Sequence, residues 1–247
     1  MRRLLTLLTL VVGLTSVAPA FAEDMASAPM VRRKITWRTG RSELRPSLGW
    51  TVNDRYFHNF IIGVGYNYHF LDWLAAGANV GWAFPIMTSL AENIEAEKKT
   101  DTFSFPIPAS HLGLLADARV ELSPGGGKFM LWNRIAVAYD FHAILGIGTI
   151  QVRWNSDAEA RFGGQEEDAG GFKLSPKVGL GMRVFLDRGI GITLEVVDHM
   201  AYMYTAGEVT ADGKHYTFPK DDPEFQHNLA AVLGFSVMMP FETDYEE

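Results

Sequence analysis

His58–Phe70, which reads HNFIIGVGYNYHF, is the stretch that decides the fold. Large apolar or aromatic residues alternate in it with small or polar residues, and Ile61 is the only exception. A period of two is typical of a β-strand, because successive side chains point to opposite faces of a sheet. One face would carry Phe60, Ile62, Val64, Tyr66, Tyr68 and Phe70, and the other Asn59, Gly63, Gly65, Asn67 and His69. The stretch therefore predicts a strand with one apolar face and one polar face.

The same alternation recurs on both sides of this stretch. It predicts eight strands, which cover Leu44–Val52, His58–Phe70, residues 74–84, His111–Leu122, residues 135–145, Phe172–Leu186, residues 192–199 and Asn228–Phe241. Val197 and Asp198 interrupt the period in the seventh strand, and we interpret them as a β-bulge. The glycine-rich segment Ser123–Lys128 is expected to turn the chain between the fourth and fifth strands. Eight strands of this kind are typical of a closed barrel.

The sizes of the alternating residues indicate which face points outward. In a water-soluble barrel the apolar residues fill the interior and charged residues cover the exterior. Here the polar set is rich in glycine, alanine, asparagine and serine, which suit a narrow interior, whereas the apolar set is bulky. The sequence therefore predicts an all-β fold, an eight-stranded antiparallel up-and-down transmembrane β-barrel in contact with outer-membrane lipid. Its aromatic residues gather toward the strand ends as an aromatic girdle, which comprises Trp50, Tyr66, Tyr68, Phe70, Trp82, Phe84 and Phe241.

Charged residues of both signs fall on the face that would point inward. We expect a polar network in the lumen, formed by Arg45, Asp117, Arg119, Glu121, Arg134, Asp140, Lys177, Arg183 and Glu195. Within it, Asp117, Asp140, Lys177 and Glu195 are expected near the middle of the barrel. Charges that leave water must be paired, so the network predicts a lumen plugged by side chains. The inward glycines leave room for water, and a narrow ion path is the alternative.

The links between the predicted strands alternate in length. Those after the second, fourth and sixth strands are short, whereas those after the third, fifth and seventh cover roughly residues 85–110, 152–171 and 203–226. Outer-membrane barrels have short periplasmic turns and longer outer loops. The alternation therefore predicts an outer-membrane protein with both termini in the periplasm. The short link at residues 53–58 is the one exception among the outer loops.

The two ends of the chain are expected to lie outside the barrel. Residues 1–22 carry two arginines, an apolar core and a terminal Ala-Phe-Ala, which is the pattern of a cleaved signal peptide. We predict a periplasmic lead-in at residues 23–41, the outer-membrane barrel at residues 42–241 and an acidic periplasmic tail at residues 242–247. The basic residues of the lead-in are interpreted as a solvated segment.

The composition excludes several classes of protein. The chain has 247 residues, a formal net charge of −7 and no cysteine. Without cysteine there is no disulfide scaffold, no thiolate metal site and no cysteine nucleophile. An acidic balance argues against a nucleic-acid-binding protein, which usually has a basic face. The mature chain also lacks a run of about 18 apolar residues, which argues against membrane-spanning helices.

Several short motifs carry a resemblance to a known family. They are GRSELRP at residues 40–46, Val52-Asn53-Asp54, GYNYHF at residues 65–70, Asp72-Trp73-Leu74, Lys128-Phe129, Tyr139-Asp140 and the pair Gly146 and Gly148. Through them the sequence resembles a family of outer-membrane β-barrel domain proteins that is common in myxobacteria and related bacteria, over nearly all of the mature chain. The resemblance implies a single outer-membrane barrel and no agreed substrate. Some barrels of this general type serve multiprotein envelope complexes.

These observations predict a function that does not involve catalysis. We expect a structural or partner-binding role in an envelope protein complex, through the outer loops or the periplasmic tails. A channel or transporter for small solutes or ions is the alternative. A lipid-modifying enzyme is the second alternative, for which His111, His142 and His199 have inward parity. No serine stands at a suggestive spacing, so the sequence predicts no catalytic residue. It predicts no metal site and no cofactor, and calcium binding by loop acids is left open.

Overall fold

Eight long strands close on themselves in the computed structural model of the chain, which describes residues 38–54, 57–98, 110–131, 135–154, 170–186, 189–203, 208–209, 216–217 and 224–240. The strands are β1 Ser42–Thr51, β2 Phe57–Leu71, β3 Leu74–Met87, β4 Ser110–Leu131, β5 Ile135–Trp154, β6 Gly171–Phe185, β7 Ile190–Met203, β8 Glu208–Val209, β9 Tyr216–Thr217 and β10 Glu224–Met239. Helix α1, Ser89–Lys98, precedes β4. The predicted signal peptide, most of the lead-in, Arg134, Phe241 and the acidic tail lie outside the described residues.

Each long strand pairs with two antiparallel neighbours, so the sheet has no long open edge. The order around the barrel is β1-β10-β7-β6-β5-β4-β3-β2, while β8 and β9 form a separate two-stranded sheet. The ladder between β1 and β10 runs from Ser42 and Met239 to Thr51 and Ala230 and closes the barrel. The predicted eight-stranded antiparallel up-and-down barrel is therefore confirmed. In the described part of the chain, no helix is long and apolar enough to cross a bilayer.

The two ends of the barrel differ in their connections. We call the end with the links after β2, β4 and β6 the short-turn end; it holds the Asp72-Trp73 turn and both ends of the described barrel chain, at Arg38 and Pro240. The opposite, long-loop end holds the links before β2, β4, β6 and β10. The structure thus has the alternation of short and long links that the sequence indicates.

The faces of the sheet are sorted by polarity in the direction opposite to that of a water-soluble barrel. Large apolar side chains cover the outside, and Leu180, Leu174 and Ile147 are 70%, 65% and 56% exposed. Ionised side chains lie inside, and Arg183 and Glu43 are both 0% exposed. Burial of charge combined with exposure of hydrocarbon indicates an exterior solvent that is itself apolar.

The fourth strand differs from its prediction at both ends. The expected turn at Ser123–Lys128 is wrong, since β4 continues through it and Gly125–Gly127 pair with residues 139–141 of β5. A register shift between Leu122 and Gly125 lets β4 and β5 remain paired on both sides of this segment. A second shift, between Leu112 and Leu115, reverses the parity, so that Leu112 points inward and is 3% exposed instead of facing outward. A bulge adds one residue to a strand and leaves no mark in the composition.

The seventh strand is more regular than its sequence predicts. The bulge expected at Val197 and Asp198 is wrong, because β7 pairs without a register shift with both β6 and β10. Val197 points into the barrel and packs in a cluster with Ile144 and Ala230. The break in the sequence pattern therefore reflects an apolar residue in the lumen.

Candidate functional site: the barrel lumen

Ionised side chains fill the interior of the barrel near the short-turn end. Among the described residues, the buried cations are Arg38, Arg41, Arg45, Arg119, Lys177 and Arg183, and the buried carboxylates are Glu43, Asp117, Glu121, Asp140 and Glu195. Six positive charges thus face five negative charges, and His69, His142 and His199 are buried beside them. We call this set the charged layer. Eight of the nine residues expected in the lumen network belong to it, and Arg134 lies outside the described residues.

Glu121 on β4 is the carboxylate with the most partners in this layer. Its Oε1 accepts hydrogen bonds from Arg45 at 3.0 Å and from the Asn67 amide at 3.0 Å, and it lies 2.6 Å from Nη2 of Arg119. Its Oε2 accepts a hydrogen bond of 2.9 Å from Arg183. Three guanidinium groups from three other positions of the barrel wall therefore share one carboxylate, which makes Glu121 the electrostatic centre of the layer.

Glu195 and His142 connect this centre to the opposite wall. Glu195 on β7 accepts a hydrogen bond of 2.5 Å from Arg45, and its second oxygen lies 3.5 Å from Arg119. His142 places one ring nitrogen 3.2 Å from Glu195 and the other 3.4 Å from Asp140. The imidazole therefore bridges two carboxylates of different strands.

Glu43 and His69 belong to the layer, although the predicted network does not contain them. Glu43 lies 3.0 Å from the His69 ring and 3.3 Å from Arg183. The period of β1 already pointed to Glu43, which stands two residues before Arg45 and has the same parity. The predicted strand began one residue later, at Leu44, and so left Glu43 out.

The basic lead-in is corrected by the structure at its last residues. Arg38 and Arg41 are 8% and 3% exposed instead of solvated. The Arg38 guanidinium donates hydrogen bonds to Asp140 at 2.5 Å and to Ser123 at 3.3 Å. Asp140 therefore lies at the short-turn end, whereas the sequence placed it near the middle of the barrel.

The backbone at this point is tied to the β2–β3 turn. The N–H groups of Arg38 and Thr39 donate hydrogen bonds of 2.8 Å and 3.0 Å to one oxygen of Asp72. Burial works to raise the pKa of Asp72, but these two N–H donors, together with the Thr39 side chain and the charge of Arg38, outweigh it and hold the pKa below its usual value. Burial lowers the pKa of the Arg38 guanidinium, and the charge of Asp140 opposes that shift. The chain just before β1 is thus attached to the short-turn end of the barrel.

Glycines make room for these long side chains at one clear position. The Cγ and Cδ atoms of Arg45 lie 3.0 Å from the place that a Cβ atom of Gly234 would occupy. Thr193, whose hydroxyl stands even closer to that place, takes the remaining space. A larger residue at Gly234 would displace Arg45 from its carboxylate partners.

A cavity of about 60 Å³ lies beside the charged layer. Its polar wall contains the ion pair between Lys177 and Asp117, 3.0 Å long, with Asn79 donating to the other Asp117 oxygen at 2.9 Å. Its other walls include Val197 and Ala230. The volume suits a small number of water molecules.

Apolar side chains also point inward, beside this cavity and on toward the long-loop end. We call them the apolar layer, which consists of Ile61, Ala83, Leu112, Leu115, Ile144, Ile150, Val152, Val197, Ala201, Met203, Ala230 and Val232. Ile150 and Ala201 are 0% and 1% exposed, so both side chains are fully buried. The described lumen therefore contains two kinds of side chain, ion-paired groups and hydrocarbon.

A small polar group lies at the long-loop end of the β1–β2 wall. Asp54 accepts hydrogen bonds from Thr51 at 3.0 Å and from the Asn59 amide at 2.8 Å. Burial raises the pKa of Asp54 above its usual value, and these two hydrogen bonds oppose the shift.

The aromatic residues expected in the girdle fall in two groups on the outside of the barrel. Tyr66, Tyr68 and Phe70 lie on β2 near the short-turn end, and rings of Tyr68 and Phe70 pack 5.0 Å apart. The second group lies near the long-loop end and consists of Trp50, Trp82 and Phe84. All six are at least 37% exposed, and Phe241 lies outside the described residues.

Two kinds of chemistry can be tested against this geometry. The side chains of Glu121, His142 and Glu195 come close enough to share a metal ion, but their carboxylate oxygens already accept from arginines. The donor set therefore does not fit a divalent cation. For an acyl-transfer site a histidine must face a hydroxyl nucleophile, whereas His142 faces two carboxylates and His111 packs on Phe57 at 6.0 Å.

Comparisons with known proteins give similarities of structure. No protein-family model matches the sequence, and no curated protein matches it. The chain is similar to Neisserial surface protein A (NspA), with 10% identity over 83% of this chain and 96% of that chain and a TM-score of 0.40. It is also similar to the outer membrane protein OprG from Pseudomonas aeruginosa, with 10% identity over 82% and 97% of the two chains and a TM-score of 0.35. The resemblance to the myxobacterial family stays a prediction.

Proposed function

We propose that this protein is an outer-membrane β-barrel with a structural or partner-binding role in the cell envelope and a lumen that conducts no solute. The observation that carries the proposal is that buried side chains of the charged layer and of the apolar layer together occupy the lumen. Partner contacts are then left to the surfaces outside the barrel wall, which are the long loops and the two tails.

The exterior of the barrel supports a place in lipid. A ring of exposed hydrocarbon would be unstable in water, and an open sheet edge in a bilayer would leave peptide groups without partners at several kcal/mol each. Closure of β1 onto β10 removes that edge. The predicted signal peptide and the alternation of short and long links favour the outer membrane, with both termini in the periplasm.

The charged layer supports a closed lumen. Eight strands leave an interior just wide enough for side chains, and here these side chains form ion pairs across it. In a confined space such pairs are screened by salt less than surface pairs are. An ion that entered from the short-turn end would have to displace a guanidinium from Glu121 and would then meet the apolar layer.

Planar bilayers test the closed lumen. Purified wild-type protein should show no steady conductance in symmetric salt. A matched variant with Ile150→Ser and Val197→Ser removes hydrocarbon from the apolar layer and should show more frequent brief openings. Steady porin-like conductance of the wild type would overturn the proposal and favour the channel.

Site-directed crosslinking tests the partner-binding role. The chain has no cysteine, so single cysteines carry a photo-crosslinker without background. Ser89→Cys lies at the start of α1 on the long-loop side, and Gly125→Cys lies on the short-turn side; both positions are exposed. Discrete heterologous adducts in intact envelopes are expected from at least one position. Purely monomeric behaviour together with acyl transfer or deacylation on lipid would replace the proposal by the enzyme.

A further inference from the structure

Arg153 is a cation on the outside of the barrel near the long-loop end. It is the second-last residue of β5 and pairs with His111 of β4. Residues 150, 152 and 154 of the same strand are buried, whereas Arg153 is exposed, so its side chain leaves the lumen. Its guanidinium carbon lies 5.8 Å from the centre of the Trp82 ring, at the level of the second aromatic group.

The bulge in β4 provides the place in which Arg153 lies. A Cβ atom on Gly113 would stand 2.8 Å from Cδ and 3.2 Å from Cγ of Arg153. The aliphatic part of the arginine side chain therefore lies directly against this glycine. The adjacent N–H of Leu114 donates to the Gln151 side chain at 3.4 Å. Bulges commonly redirect side chains at functional positions. Here the bulge, the glycine and the Trp82 ring together fix the direction of one guanidinium group.

The contacts that Arg153 makes with Gly113 and Trp82 leave its N–H donors unused. Among the side chains that the structure describes, no carboxylate lies within ion-pair distance of Arg153, and its contact with Trp82 uses the face of the ring and none of its N–H donors. A cation beside hydrocarbon is costly unless it reaches the headgroup region and a counter-charge. Planar guanidinium groups bind phosphate oxygens in pairs.

We infer that Arg153, held by Gly113 and Trp82, is a binding site for the phosphate of an anionic lipid in the leaflet that faces the long loops. The inference rests on the proposed membrane location and adds a specific lipid contact to it. Gly113 and Trp82 act as positioning residues, since they direct the guanidinium and do not touch the phosphate themselves.

Lipid binding to the purified protein in zwitterionic micelles tests this site. Dioleoyl phosphatidic acid is the probe, dioleoylglycerol is the same lipid without phosphate, and native mass spectrometry counts the bound molecules. We expect Arg153→Gln to bind phosphatidic acid about tenfold more weakly than the wild type, because the variant loses a charge-assisted hydrogen bond. Arg153→Lys should retain part of the affinity.

The glycines offer a matched control pair. Gly113→Ala leaves Arg153 in the sequence but pushes its stem out of place, so it should weaken binding as Arg153→Gln does. Gly125→Ala has open space around its new methyl group and should bind like the wild type. Both variants should fold, because the atoms that Gly113→Ala displaces belong to the flexible side chains of Arg153 and Gln151 and not to the backbone.

Three results would contradict the inference. Wild-type affinity in Arg153→Gln, equal binding of dioleoylglycerol, or equal competition by inorganic phosphate would each show that Arg153 is not a lipid-phosphate site. Failure of the proposed membrane location looks different: the protein would stay in solution without detergent, and every variant would bind neither lipid.

Discussion

Glu121 concentrates the charge pairing of the lumen on one side chain. We predict that Glu121→Gln, which keeps the shape and removes the charge, lowers the free energy of unfolding by about 3–5 kcal/mol, because arginines are left buried without a counter-ion. Urea unfolding in micelles measures the change. The control is Asp198→Asn, which breaks a pair with the exposed His227 and should cost about 1 kcal/mol or less. Similar losses in both variants would contradict a central role for Glu121.

Leu180 tests the outward face at the scale of one side chain. It is 70% exposed on β6, and its pairing with Val196 places it away from both strand ends. An arginine there should cost roughly 2–4 kcal/mol if the site lies in the middle of a bilayer. Leu186→Arg, just beyond the end of β6, should cost roughly 0–1 kcal/mol. Reversible folding into vesicles measures both, and equal small costs would indicate water outside the barrel.

The β2–β3 turn is the element with a measurable pH dependence. The folded-state pKa of Asp72 is depressed, so its stabilising contribution is complete above the unfolded-state pKa of about 4 and is lost as the pH falls through the folded value. We predict that Asp72→Asn is less stable than the wild type at pH 7, and that the difference shrinks toward pH 3. Urea unfolding at several pH values measures it.

Asp54 provides a control of opposite sign for that experiment. Its folded-state pKa is raised, so its contribution to stability grows as the pH falls through the folded value. The wild type should therefore gain stability relative to Asp54→Asn as the pH falls from above the folded-state value to the unfolded-state pKa of about 4, which is a less acidic range than that of Asp72. If both variants changed in the same direction, the hydrogen bonds to Asp72 from Arg38 and Thr39 would not be the cause.

The elements also show what a sequence pattern can and cannot predict. Period two identifies the strands and the inward residues, because every inward position of β2 or β6 is two residues from the next. It cannot find the bulge at Gly113 and Leu114, since an extra residue changes parity and not composition. Nor can it distinguish an apolar residue that points into the lumen, such as Val197, from a bulge, because both interrupt the alternation in the same way.

Pairing within the lumen depends on register between strands. Inward parity places Arg45 and Glu195 in the lumen, but the 150 positions between them leave their contact undetermined. Arg38 is harder still, because it lies before the first strand and meets Asp140 102 positions later. Local sequence therefore predicts the members of the network better than the contacts among them.

The whole molecule should resist unfolding in detergent because its sheet is closed. We predict that it fractionates with the outer membrane and migrates differently on a denaturing gel before and after boiling, because the closed ladder stays intact in cold detergent. Glu121→Gln should shift the transition to a lower temperature. Recovery as a soluble periplasmic protein with a single gel mobility would overturn the membrane location.

The contacts of Arg45 set the order in which the protein can assemble. This first-strand arginine joins Glu195 and Glu121, 150 and 76 positions further along the chain, so neither bond exists while the sheet is a flat ribbon. Until the seam between β1 and β10 closes, these charges need water, whereas the outer side chains already favour hydrocarbon. A sheet that is still open is therefore unstable both in water and in the bilayer. We expect the barrel to close as it enters the bilayer. Because so many of these contacts are non-local, that concerted step is expected to be slow and rate-limiting.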